Sequence, residues 1–240
     1  MQIKTRGVVL HKTKFSDNSS VVTIYTEHFG RTTFLVRGVN SKRSLLRAAF
    51  FMPMSILDID MVHTPGKEMH TIKELSVAIP YNDIAANPVK NAIALFLSEL
   101  LYRCIKLSTP DERLFLFITQ SMEVLEYTEG VSANFHLVFL LRLTRYLGFE
   151  PEIDGVNSRY FDLQNGVFCL NPPLHMHYTG AELANKLTEL SAVDYFSMNK
   201  MILSRNQQMD MLKMFVEYYR LHVPGFHGLN SLQVLQALFD

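Results

Sequence analysis

The chain has 240 residues, 23 Lys and Arg against 23 Asp and Glu, 48% apolar residues and two cysteines. That balance excludes an intrinsically disordered chain, which needs low hydrophobicity and high net charge, and two cysteines are too few for a disulfide scaffold or a four-cysteine zinc site. A net charge of zero argues against a uniformly basic nucleic-acid binder, yet it is a composite: residues 1–50 hold nine basic and two acidic side chains, +7, and residues 51–240 hold the remaining 14 basic and 21 acidic, −7.

A chain of this length forms one or two domains and buries roughly 70–75% of its unfolded surface. Short β-rich runs at 2–12, 20–26, 31–37, 54–61 and 69–76 read as five strands, separated by turn signals such as Asp17-Asn18, Phe29-Gly30 and Pro65-Gly66. Five short strands in about 75 residues are most economically an oligonucleotide/oligosaccharide-binding (OB) barrel. After Pro80 the apolar period becomes helical. Asn87 is placed to cap a helix with Pro88 at its first position, running to Lys106. Pro110-Asp111 opens a second helix, and 133–147 is a third, apolar on most sides and therefore central, ended by Gly148. Residues 149–178 lack helical periodicity. There Asn165-Gly166 between Tyr160-Phe161-Asp162-Leu163 and Val167-Phe168-Cys169-Leu170 predicts a hairpin. Helices resume at 181–190, 207–221 and 231–239. The expected architecture is α+β: an OB domain (1–80), an all-α helical domain (81–148 and 179–240) and an inserted hairpin module (149–178).

The N-terminus has no apolar stretch of signal-peptide length, and the two longest uncharged stretches, 163–181 and 221–239, contain Pro, Gly, His and Asn and are not membrane spans. A cytoplasmic protein with reduced Cys104 and Cys169 is the expectation.

No phosphate-cradling G-x-x-x-x-G-K-[ST], dinucleotide G-x-G-x-x-G, nucleophile-elbow G-x-S-x-G or zinc-protease H-E-x-x-H motif occurs. Asp58 and Asp60 share one strand face and could hold Mg²⁺ with a partner carboxylate, which would suit a nuclease; a solvated strand face is the simpler reading. Cys169, His175 and His177 are too few for structural zinc, which takes four ligands. The basic front end is the sharpest feature. Lys12 and Lys14 flank the first turn with Phe15 beside them, Arg31 and Arg37 share a face of the third strand, and Lys42, Arg43 and Arg47 follow it. Cations that neutralise phosphates beside rings that stack on bases suit single-stranded nucleic acid. The alternative use of such residues is to solvate strand edges.

At these residues the chain resembles the RecO family of bacterial recombination-repair mediators. The likeness runs through Gly7-Val8-Val9-Leu10, Lys14–Val22, Thr26-Glu27-His28-Phe29-Gly30 and Leu35-Val36-Arg37-Gly38-Val39. It continues at Leu147-Gly148-Phe149-Glu150-Pro151, at Asn165–Cys169 and at Tyr218–His222 with Pro224-Gly225-Phe226. The resemblance implies an OB domain, a helical domain and a small inserted module. It implies a non-enzymatic mediator that binds single- and double-stranded DNA, anneals strands and, with RecR, helps load RecA onto DNA covered by single-strand-binding protein. The residues it assigns to DNA or RecR contact are Lys12, Lys14, Arg31, Arg37, Lys42, Arg43 and Arg47, with Phe15 as a base-stacking candidate. Arg142 and Arg145 are candidates for docking the acidic tail of single-strand-binding protein. Many family members carry two C-x-x-C pairs in the inserted module; here only Cys169 stands there, which implies that the zinc is lost and no cofactor is bound. Nucleoid-associated cytoplasmic location follows from the same resemblance. An RNA-binding OB protein and a helical scaffold whose barrel binds only protein are the other readings.

Overall fold

The computed structural model describes residues 2–37, 49–63, 66–129, 134–153 and 159–238. Lys42, Arg43 and Arg47 lie outside the described residues. Contacts divide the chain into two compact units, Met1–Tyr127 and Thr128–Asp240. They group the helices between 83 and 127 with the barrel, whereas the change at residue 80 read from the sequence marks a switch of secondary structure.

In the first unit β1 (Gln2–Ser16), β2 (Ser19–Thr26), β3 (Gly30–Arg37), β4 (Ile56–Val62) and β5 (Met69–Ile79) close into a barrel of order β1-β2-β3-β5-β4. This is the five-stranded OB-like barrel expected. Strand β1 is long because it serves two neighbours: residues 2–8 pair with β4 and residues 7–16 with β2. It outruns the end predicted at Lys12 because the two-residue turn Asp17-Asn18 keeps the ladder paired to Ser16↔Ser19. Val9, Val22, Ile24, Phe34, Ile59 and Met61 fill the interior. Alternate residues of β2 face outward, yet Thr23 and Tyr25 are buried as well. Elements that follow the barrel cover them.

Those elements are the short α1 (Asp83–Ala86), α2 (Pro88–Cys104) and α3 (Glu112–Tyr127). Asn87 caps α2 as expected, its side chain accepting from the backbone N–H groups of Val89 at 3.0 Å and Lys90 at 3.3 Å. Asp111 caps α3, accepting from Arg113 N at 2.9 Å and Leu114 N at 3.1 Å. Helix α2 lies on β1: Ser98 Oγ donates to Leu10 O at 2.6 Å, and the His11 and Tyr102 rings stack with centroids 4.3 Å apart. The Tyr25 hydroxyl reaches Asp111 O at 3.3 Å.

The three helices are knitted by a polar node that no local pattern signals. The Glu126 carboxylate accepts from the N–H groups of Asn82, Asp83 and Ile84 at 2.8, 2.9 and 2.9 Å, satisfying the open donors at the start of α1. The fully buried Lys90 donates its ammonium to the Asp83 carboxylate and, at 3.2 Å, to Glu126 O. Burial pushes the Glu126 carboxyl up, but the three N–H donors outweigh it and hold it below the usual glutamate value.

The second unit is built on α4 (Phe135–Leu147), buried on most sides as its composition predicts and ended by Gly148 in the left-handed conformation at φ 83°. Around it lie α5 (Ala181–Ser191), α6 (Arg205–His222) and α7 (Ser231–Leu238). Helix α6 starts two residues before the predicted Gln207, because Ser204 and Gln207 form a reciprocal capping box. Tyr219 of α6 donates to Leu140 O at 2.8 Å, and Tyr218 to Phe149 O at 2.8 Å. The predicted hairpin is present as β6 (Tyr160–Asp162) and β7 (Val167–Cys169), and a third strand, β8 (Tyr178–Thr179), joins the other edge of β6. Gly166 takes φ 70° at the turn, where a Cβ would stand 2.7 Å from the Tyr218 hydroxyl, so only glycine fits.

Two outcomes test the polar node. Lys90→Met should cost about 2 kcal/mol in urea unfolding, because it strands the Glu126 carbonyl and removes the partner of Asp83. Since the folded Glu126 pKa lies below its unfolded value, its stabilisation is full above the ordinary glutamate range and is lost as pH falls below it. Glu126→Gln should therefore flatten that acid limb of the stability curve.

Candidate nucleic-acid interface

The barrel closes through a short seam. Strands β3 and β5 run parallel and pair only at Thr33↔Met69 and Phe34↔His70. Beyond it, residues 35–37 and 71–75 border a groove of about 670 Å³ whose lining includes Arg37, Lys73 and Phe50. The β1–β2 hairpin rises at the same end of the barrel, since Ser16 pairs with Ser19 and Ser19 with Arg37. Directly opposed residues share a face. Lys12 and Lys14 therefore stand on the face of Val22 and Ser20, continuous with the barrel interior, while Arg37 stands on the outer face with Ser19. Phe15 sits at the register shift between Lys14 and Ser16 and is 64% exposed. An apolar ring this exposed at a hairpin tip offers a face for stacking. Lys14 pairs with Asp17 at 2.8 Å, but both are exposed, so the pair holds little energy and yields readily to a phosphate.

Arg31 has a different position. It precedes Arg37 by six residues on β3, which puts the two about 20 Å apart at opposite ends of the strand. Its guanidinium donates to Tyr102 O at 2.6 Å and to Ile105 O, and lies 4.4 Å from the centre of the Tyr102 ring. These carbonyls are open acceptors at the C-terminus of α2, where the helix dipole favours a cation. Arg31 thus fastens α2 to the barrel.

In the second unit Arg142 and Arg145 are both exposed on α4. Arg142 donates to Val193 O at 3.2 Å and lies 5.8 Å from the Tyr195 ring, and Arg145 is 3.9 Å from Glu150. The sequence does not mark Lys73, because an isolated lysine in a strand reads as a solvated edge. Only the parallel pairing of β3 with β5 sets it across from Arg37.

Asp58 and Asp60 are each engaged by a side chain of β1. Asp58 is 3.2 Å from Arg6, and the buried Asp60 accepts from Gln2 at 2.7 Å. Among the described residues no group of three or more His, Cys, Asp or Glu could hold a metal ion, and no helix is long and apolar enough to cross a membrane.

The family models decide what these features belong to. The description "Recombination protein O N terminal" matches residues 1–81, and "Recombination protein O C terminal" matches residues 85–233. The chain belongs to the RecO family. Curated relatives called DNA repair protein RecO support this along the full length. The Bacteroides fragilis protein is 38% identical over 99% of both chains. Those of Azobacteroides pseudotrichonymphae and Flavobacterium johnsoniae are 34% and 32% identical over the whole of both.

For a RecO chain, the inserted module raises the question of zinc. The described residues do not fit one. Cys169 is the single thiol there, and its sulfur lies 3.8 Å from Tyr160 O. The His175 ring is 3.3 Å from Asp162 and the His177 ring 3.0 Å from Glu217. Asp162 is the centre of the module. Its carboxylate accepts from Gln164 N at 2.8 Å, Asn165 N at 3.0 Å and the Asn165 amide at 2.7 Å. Burial pushes this carboxyl up, but the Asn165 and Gln164 donors and His175 outweigh it and hold it below the usual aspartate value. His222 closes the far side, its ring nitrogen 2.8 Å from Leu163 O.

Arg31→Ala should cost about 2 kcal/mol of stability in urea unfolding, through two lost charge-assisted hydrogen bonds. Arg37→Ala should stay within about 0.5 kcal/mol of the parent protein, as exposed substitutions do.

Proposed function

We propose that this RecO-family chain is a DNA-repair mediator that binds single- and double-stranded DNA, anneals complementary strands and, with RecR, helps load RecA onto DNA covered by single-strand-binding protein. The observation that carries the reading is the barrel mouth. Within a chain of the RecO family, Lys12, Lys14 and Phe15 on one hairpin stand at the same end of the barrel as Arg37 and the groove it shares with Lys73. The +7 charge of residues 1–50 supports it, since Lys42, Arg43 and Arg47 follow Arg37 directly in the chain. Cations there neutralise phosphates and release their counterions, and an exposed ring stacks on a base.

Annealing in this reading needs no bond chemistry. Base pairing supplies the free energy, and the protein screens the repulsion between two phosphate backbones. The protein works as a non-enzyme, without a cofactor and without zinc, in the cytoplasm at the nucleoid. Arg142 and Arg145, with the Tyr195 ring beside Arg142, are assigned to the acidic tail of single-strand-binding protein, where guanidinium groups would pair with carboxylates.

Combined Arg37→Ala, Lys42→Ala and Arg43→Ala should weaken single-stranded DNA binding. The log–log salt slope should become shallower by about 0.7 per lost phosphate contact, roughly 2 in all. An unchanged slope would remove the barrel mouth as the interface, and equal competition by single-stranded RNA would favour an RNA-binding role. Metal analysis of the purified protein should find no stoichiometric zinc; a value near one per chain would overturn that part of the reading.

A further inference from the structure

The β3–β5 seam has a second side. Opposite the groove lies a hollow of about 430 Å³ lined by Phe29, Arg31, His63, Lys67, His70 and Lys106, among others. Its volume falls within the range of small-molecule pockets, about 300–1,000 Å³. The segment after α2 closes on it: a Cβ on Gly30 would stand 2.6 Å from Thr109 O.

Two properties of the lining matter. The first is an aromatic stack. The Phe29 and His63 rings stack at 4.6 Å and 17°, and the His63 and His70 rings at 5.0 Å and 18°, a column of three nearly parallel rings. Burial, then the neighbouring His63 and Lys67, push the His70 imidazole below the usual histidine value, so near neutral pH it offers a neutral face. The second property is the charge. Lys67 and Lys106 are exposed and have no ion pair with a described acid, Arg31 adds its fixed charge from the α2 clasp, and Glu68 is the one acid in the lining. The histidines do not converge as metal ligands, because the lone pairs of stacked imidazoles lie in their own ring planes and do not meet at a point.

A ring column beside two exposed ammonium groups that pair with no described acid matches a ligand with a flat heteroaromatic face and a phosphate next to it. We propose that this hollow is a nucleotide subsite in which one base extends the Phe29–His63–His70 column by stacking on its end and Lys67 and Lys106 hold the adjoining phosphate. It rests on the DNA-binding reading above and extends it. A single strand engaged at Arg37 would follow β3 across the seam and place a further nucleotide about 20 Å away.

The test uses the full-length protein, oligo-dT of roughly 12 nucleotides, within the site sizes of OB folds, and free dTMP. In the Lys67→Ala, Lys106→Ala double variant, 12-mer affinity should fall roughly ten-fold, and the salt slope should become shallower by about 0.7, one phosphate's worth. The unfolding midpoint should stay unchanged, because both side chains are exposed. In the wild type, ligand should shift the ring-proton NMR signals of His63 and His70, identified by His63→Gln and His70→Gln. A shift with dTMP alone assigns the subsite to single nucleotides. A shift only with the 12-mer assigns it to a strand-borne nucleotide. Parent-like affinity and slope in the double variant, with both histidine signals unmoved by either ligand, overturn the subsite while leaving the barrel mouth standing. A wild type that binds no 12-mer at low salt but shifts with dTMP overturns the DNA-binding reading instead.

Discussion

The first unit depends on how its barrel closes. A five-stranded sheet of order β1-β2-β3-β5-β4 needs β3 to meet β5, and the two do so in parallel across two residue pairs. Two pairs are enough to close the sheet into a barrel, though they cover only a short part of the two strand edges. They are too few to hold the strands together along their length, so the strands part on either side of the contact. One parting makes the groove beside Arg37 and Lys73, and the other makes the hollow beside Lys67 and His70. Both openings are consequences of one constraint.

A barrel this small cannot bury all its apolar surface, and the helices complete it. Tyr25, His11 and Leu10 each present a group on the outer face that α2 or the start of α3 engages. Arg31 sits at the end of that contact, and its charge answers the α2 carbonyls. The helices are held in turn by Glu126, a single carboxylate that does for the start of α1 what a local cap does elsewhere. The division of labour among the basic residues follows. A cation beside unsatisfied carbonyls is structural, and one at an open hairpin or groove remains available to phosphates.

The inserted module shows how a hairpin can be fixed by a carboxylate. A structural zinc ties four ligands to one point. Here Asp162 ties the turn to one point through three hydrogen bonds and a histidine, and Tyr218 and His222 of α6 close over it. Each bond is weak compared with metal ligation, so the module depends on packing against α6 as well, through contacts such as Phe161 with Tyr218 at 5.7 Å.

Local chemistry made much of this legible before the tertiary structure. Five strands, the Asn87 and Gly148 caps, the central α4 and the Asn165-Gly166 hairpin all follow from short-range patterns, because caps, turns and periodicity are decided within a few residues. The basic front end was legible for the same reason, as a composition. What could not be read was which cations act together. Arg31 and Arg37 share a strand face by parity, but whether either is free depends on α2, some 70 residues on. Lys73, Lys67 and Lys106 are isolated in the chain; Lys67 and Lys73 meet β3 through the parallel seam, and Lys106 through the packing of the α2 end against it. Glu126 reaches α1 across more than 40 residues. The sequence alone determined most of the elements, the charge polarity and the family likeness, since these are local or cumulative; the short α1 and the strand β8 came only with the tertiary structure. Tertiary structure alone decided the partners of each charge, because that depends on which distant backbone groups are left unsatisfied beside it.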